Sequence, residues 1–150
     1  GRSYASIIDT EVFRPAGMLG AVVYGSRALP VNFPSGHEGG RKYRDYYENA
    51  GFGDGGLIAS AQDVANFYRA LFADGVLLSP AMMAELMHDP VGDGYGMGLD
   101  IDGEIVGHSG GDLGFSSDVR FNTETGMLAV ILIAQGDADT DWASDMVAGQ

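Results

Sequence analysis

Residues 103–122, GEIVGHSGGDLGFSSDVRFN, gather the side chains of this chain best suited to chemistry. His108 and Ser109 lie on a strand-like run that passes into Gly110 and Gly111, and Gly107 and Gly114 crowd the same corner. Glycine inside a strand often marks a place where a ligand or another backbone comes close. A glycine-rich strand also leaves its N–H groups uncovered. Such donors can be aimed at the negative charge that develops on a carbonyl under attack, which is the chemistry of an oxyanion hole. A lone histidine at a strand end is ordinarily structural. His108 stands out because Ser109, Gly110 and Gly111 follow it, on a strand backed by the most apolar run of the chain.

Other motifs carry less. GFGDGGLIAS, residues 51–60, has the look of a nucleotide-binding glycine loop, yet no strand precedes it and no Lys-Ser or Lys-Thr follows. It reads as a tight turn feeding a helix. Asp137, Asp139 and Asp141 have calcium-loop spacing, but the sixth loop position is Trp142 instead of glycine and the twelfth is Ala148 instead of glutamate. A solvated, helix-capping acidic turn accounts for them, and no metal ligands are assigned. His37 and His88 have no acidic or histidine neighbours at metal-ligand spacing and read as structural. No cofactor is called for.

Composition narrows the classes. A length of 150 residues fits one domain, residues 1–150, and a hydrophobic share of 45% is enough for a core. The net charge of -13, with one lysine and seven arginines, speaks against nucleic acid or an anionic membrane surface as partner, since both require basic clusters. The absence of cysteine excludes disulfides, thiolate catalysis and cysteine-ligated metal. It leaves the compartment open, periplasmic, extracellular or cytoplasmic. No stretch reaches the roughly 18 apolar residues of a membrane span.

The elements that must position the site follow from periodicity. Tyr4, Ile7, Ile8, Val12 and Phe13 recur at helical spacing, and residues 15–17 stop the pattern. Residues 20–56 are rich in glycine and proline, and are expected to be tied down by contacts more than by regular structure. Ser60, with Asp63 three residues on, predicts a capped helix whose stripe is Val64, Phe67, Tyr68, Leu71 and Phe72, closed by Gly75. Ser79-Pro80 predicts another, burying Met82, Met83, Leu86 and Met87. From Gly94 the pattern turns to β: YGMGLDI, GEIVGHSG, SSDVRFN and MLAVILIA, separated by turn signals at Asp102-Gly103, residues 110–114 and residues 123–126. TDWASDMVAGQ reads as the start of a helix. The fold class is therefore α+β: helices, a four-stranded antiparallel meander and a C-terminal helix.

The ordered set AGFGDGGLIASAQDVANFYRALFADGVLLSP, GYGMGLDI, GHSGGDLGFSSDVRFN and GMLAVILIAQ resembles the C-terminal portion of the serine β-lactamase-like superfamily, which includes class C β-lactamases, D-Ala-D-Ala carboxypeptidases and related esterases. The opening GRSYASIIDTEVFRPAGM resembles the helix and turn that follow the family's second motif. The resemblance implies a partial transpeptidase-like fold without its N-terminal part, and acyl transfer on a β-lactam, a D-Ala peptide or a carboxylic ester. By the same resemblance HSG, residues 108–110, stands as the third motif in its H-x-G form. His108 and the N–H of Gly111 would be catalytic, and Ser109, Gly110 and Asp112 would line the substrate.

The departures from that family matter equally. S-x-x-K, which holds the nucleophile, is absent: Lys42 is the only lysine, and Gly39 stands three residues before it. YEN, residues 47–49, has the letters of the second motif, Y-x-N, but follows the PAGM turn that it should precede. The chain is thus expected to be a fragment, cleavage product or truncated product of a serine hydrolase, inactive alone, acting on a small-molecule or peptide substrate. Its apolar last strand is expected to need the N-terminal segment or to self-associate. A catalytically inactive binding module is the alternative, and a calcium-stabilised surface domain a third reading.

Overall fold

A computed structural model describes residues 1–43, 53 and 55–149. The YEN stretch, residues 47–49, and residues 51, 52 and 54 of the glycine-rich turn lie outside the described residues. Helix α1 (Tyr4–Ile8) is capped by Ser3 and widens into a π-helical turn over Asp9–Phe13. Helix α2 (Ala61–Tyr68) continues the same way over Arg69–Ala73. Phe13, Ala16, Met18, Ala21, Val23 and Ala70 close around one another, joining the two helical segments in a first core.

The stretch expected to be irregular contains short strands. β1 (Val22–Val23) pairs with β4 (Leu57–Ile58), and β2 (Gly36–Glu38) forms a hairpin with β3 (Arg41–Tyr43). The main sheet is the predicted meander: β5 (Asp100–Asp102), β6 (Ile105–Asp112), β7 (Phe115–Asn122) and β8 (Leu128–Ile133), antiparallel and in that order. One face carries Val106, Val119 and Phe121, which pack with Leu99 against Tyr68 of α2. Phe72 stacks on Phe121 with ring centroids 5.4 Å apart. Burial there pushes the Tyr68 phenol up to about 12. On the other face lies α4 (Ala143–Ala148), with Ala143 and Val147 buried and Asn122 Nδ2 donating to the Val147 carbonyl at 3.2 Å.

Helix α3 (Pro80–Leu86) begins at the expected Ser79 cap, whose hydroxyl accepts from Met82 N–H. Its apolar face is less covered than the sequence suggests: Met82 is exposed, and Met83, Leu86 and Met87 are only half-buried. Helical spacing identifies an apolar face, but not whether anything covers it. No helix among the described residues is long and apolar enough to cross a membrane.

The Ser60 cap is complete. Ser60 Oγ accepts from Asp63 N–H at 3.1 Å, while Asp63 Oδ2 accepts from Ser60 N–H at 3.0 Å and from the Ser60 hydroxyl at 2.6 Å. Asp63 Oδ1 also accepts from Gly20 N–H at 3.1 Å, so one carboxylate ties α2 to the chain 43 residues earlier. Burial raises the Asp63 pKa, but the hydrogen bonds from Ser60 and Gly20 together outweigh it and hold the carboxyl below its ordinary value. Ser60→Ala is expected to cost about 1 kcal/mol in chemical denaturation. With the folded pKa below the unfolded one, the Asp63 contribution is full above about pH 3.9 and is lost as pH falls through the folded value. The loss of stability in acid should accordingly be smaller in Asp63→Asn.

Candidate active site

The site is built on the outer edge of β6. Two residues, Leu113 and Gly114, connect Asp112 to Phe115, so Asp112 and Phe115 must be a hydrogen-bonded pair. Alternation along the ladder then turns the backbone groups of Gly110 and His108 toward β7, and those of Gly111, Ser109 and Gly107 away from it. Gly107 finds a partner in Asp100 of β5, but β5 reaches no further. Among the described residues no strand pairs with β6 beyond Gly107 on that side. The N–H groups of Ser109 and Gly111 therefore face an open edge, and His108, Ser109, Gly110 and Gly111 are all exposed.

Glycine has different reasons at different points of this strand. At Gly107 a Cβ would lie 1.9 Å from the Val119 carbonyl oxygen and 3.0 Å from Cδ of Arg120. Gly107 is the middle of a row formed by Asp100, Gly107 and Arg120 across three strands. Arg120 reaches over it, placing Nη1 2.8 Å from Asp100 Oδ2. Arg120 Nε is also 2.9 Å from Oδ1 of buried Asp118, close enough for an ion pair but off the line of a hydrogen bond. Burial raises the Asp118 pKa, with Arg120 opposing it. At Gly111, by contrast, a Cβ would meet nothing within 4 Å. That glycine keeps the edge bare without being required by packing.

The hairpin tip is held from outside. Gly114, at φ +79°, comes so near Gly36 that a Cβ on either would overlap the other's backbone. Glu38 Oε2 accepts from Gly114 N–H at 3.2 Å, and Phe33 stacks on Phe115 at 5.6 Å. The Asp112 carboxylate accepts from Leu113 N–H at 2.7 Å, which occupies one of its oxygens in the turn itself.

His108 is held by two contacts. Its Nε2 lies 2.8 Å from the Tyr95 hydroxyl, and its Nδ1 sits against the Ser109 carbonyl oxygen. The rings of Tyr95 and His108 meet edge to face, centroids 5.7 Å apart. Sequence reading passes over Tyr95. It sits in a loop anchored by Asp89, whose carboxylate accepts from the N–H groups of Val91, Gly92 and Gly94 at 3.1, 2.7 and 2.8 Å. These bonds, Gly94 and Gly92 foremost, hold the Asp89 carboxyl below its usual pKa. The available signal was local: an Asp-Pro followed by three glycines around one tyrosine marks a tightly bent loop.

In the acidic turn, Asp137 accepts from Gln135 and Asp139 from Asp141 N–H. Among the described residues no three His, Asp or Glu side chains gather as a metal site.

An antiparallel sheet flanked by helices carries this candidate site, and that fold has relatives. The family model described as Beta-lactamase matches residues 1–148. The chain belongs to the beta-lactamase family. No curated protein matches it. Solved structures share the fold. A penicillin-binding protein from Bacillus halodurans superposes with a TM-score of 0.74 at 21% identity, over 97% of this chain and 48% of its own. A D-stereospecific amidohydrolase from Streptomyces sp. gives 0.71 at 24%, over 99% and 48%. An octameric penicillin-binding protein homologue from Pyrococcus abyssi gives 0.73 at 22%, over 99% and 38%. The chain thus spans less than half the length of each, and its architecture is a partial β-lactamase-like fold.

Proposed function

We propose that this chain forms the third-motif wall of a serine hydrolase that works by acyl transfer on a β-lactam, a D-Ala peptide or a carboxylic ester. The observation that carries the reading is the open edge of β6, where Gly111 N–H faces outward next to His108. A substrate carbonyl approaching there meets no side chain at Gly110 or Gly111. Gly111 N–H supplies one oxyanion donor, and Ser109 offers a hydroxyl to the substrate's carboxylate or carbonyl. His108 stands where the family carries a lysine or histidine. The nucleophile and its activating lysine come from a segment bearing S-x-x-K, which this chain lacks.

That segment also suits the other edge of the sheet. β8 has no strand partner beyond it among the described residues, and its Leu132 is exposed. An apolar edge of this kind recruits another strand, from the N-terminal segment or from a second copy. The octameric state named for the Pyrococcus abyssi homologue is in keeping with self-association.

Mass spectrometry after incubation with penicillin, and turnover of a chromogenic ester, test the reading. The chain alone is expected to give neither adduct nor turnover. Addition of the S-x-x-K segment, fused or separate, is expected to give both. An adduct on Ser109 of the isolated chain would make the third motif the nucleophile and overturn the proposal. Continued silence with the segment present would favour the inactive binding module.

A further inference from the structure

We propose that Tyr95 is a positioning residue of this site, fixing the tautomer and orientation of His108. The Ser109 carbonyl can only accept, so the His108 Nδ1 against it must carry a proton. In the neutral ring Nε2 is then a lone pair, and the Tyr95 hydroxyl at 2.8 Å is its donor. Both ring nitrogens are thereby assigned, one by the strand and one by the loop. His108 is exposed, so packing alone does not lock its ring. Its orientation depends on Tyr95 being held still.

The loop is built for that. Three N–H groups converge on Asp89, in the stretch leading to Tyr95. Gly94 is at φ +84°, a conformation that favours glycine, and its carbonyl accepts from Ile101 N–H at 2.7 Å. On the far side, Gly96 N–H donates to the Leu99 carbonyl at 2.8 Å, and a Cβ on Gly96 would lie 2.4 Å from the Leu86 carbonyl oxygen. Tyr95 is thus clamped between two glycines fixed to β5 and to the end of α3. The only polar partner of its hydroxyl among the described residues is His108.

Nitrogen-15 NMR of the His108 ring, at a pH well above the ordinary histidine value of about 6.5, reads this directly. The expected result is the Nδ1–H tautomer in the parent chain, and an Nε2 resonance displaced in Tyr95→Phe. An Nε2–H tautomer in the parent overturns the assignment, even where the variant does not fold. Unmoved ring nitrogens in a folded Tyr95→Phe overturn it too. The consequence for turnover rests on the hydrolase reading. With the S-x-x-K segment restored, Tyr95→Phe is expected to lower kcat roughly tenfold with KM little changed, the worth of one hydrogen bond of usual net strength. It should add nothing in a His108→Ala background. An additive loss would place its effect elsewhere. The NMR measurement involves no turnover, so a chain that proves inactive leaves the tautomer assignment standing. A failed assignment equally leaves the hydrolase reading standing.

Discussion

Gly107→Ala is expected to destabilise the fold by roughly 3 kcal/mol or more, at or beyond the upper end of ordinary overpacking. The added methyl would sit 1.9 Å from the Val119 carbonyl oxygen, a backbone atom of the paired strand that no rotamer change can move away. Relief requires β6 and β7 to separate or the strand to bend, and either breaks a ladder that runs unbroken from Ile105 to Asp112. The same methyl also presses on the Arg120 stem at 3.0 Å, and Arg120 crosses this point to reach Asp100. A displaced Arg120 would leave buried Asp118 without its countercharge, adding an electrostatic cost to the steric one. Gly111→Ala, four residues on in the same strand, is the control, since its Cβ meets open space and its φ is not in the left-handed region. Urea denaturation of the two variants should show a large loss for Gly107→Ala and little change for Gly111→Ala. Equal midpoints would rule out the close approach of β6 and β7 at Gly107.

The two variants also mark what sequence can and cannot reveal. A crowd of glycines at 107, 110, 111 and 114 signals close approach, but not which glycine is crowded and which is bare. That distinction depends on which strand lies alongside. Local signals are legible because their physics is local. The Ser60–Asp63 box and the Ser79-Pro80 start each need only four consecutive residues, and both form as expected. The meander is equally legible, since each connection is short and each strand is marked by turn residues. The pairing of Val22–Val23 with Leu57–Ile58 is not, because two-residue strands carry no periodicity and their partner lies far along the chain. Asp63 shows both sides of this. Its cap on Ser60 could be read from spacing, while its bond to Gly20 N–H could not. In the candidate site, His108, Ser109, Gly110 and Gly111 lie exposed on one strand, so their grouping was readable from neighbouring residues. Tyr95 was not, because it reaches His108 only through a loop whose path is set by backbone N–H groups converging on Asp89.

On the hydrolase reading proposed above, Gly111→Pro in this chain joined to a segment bearing S-x-x-K is expected to lower the rate by about 10²–10³, the usual loss for one oxyanion donor. Proline removes an N–H, and at most positions in a sheet that would also remove a ladder bond. Gly111 is an exception that the register dictates. Its N–H faces away from β7, and β5 ends before reaching it, so no strand bond among the described residues is lost. The substitution therefore separates catalysis from folding more cleanly than a change at Gly110 or His108, whose backbone groups are tied to β7. Denaturation midpoints near the parent's, together with a severe loss of ester turnover, are the expected pair of results. Gly111→Ala keeps the N–H and has room for its methyl, so it should retain most of the activity. Ser109→Ala should act more mildly than the proline, and mainly on substrates that carry a carboxylate. If Gly111→Pro turns over as fast as Gly111→Ala, the Gly111 N–H does not face the oxyanion. If instead Gly111→Ala is as slow as the proline variant, the bareness of the edge, rather than its donor, is what the substrate requires.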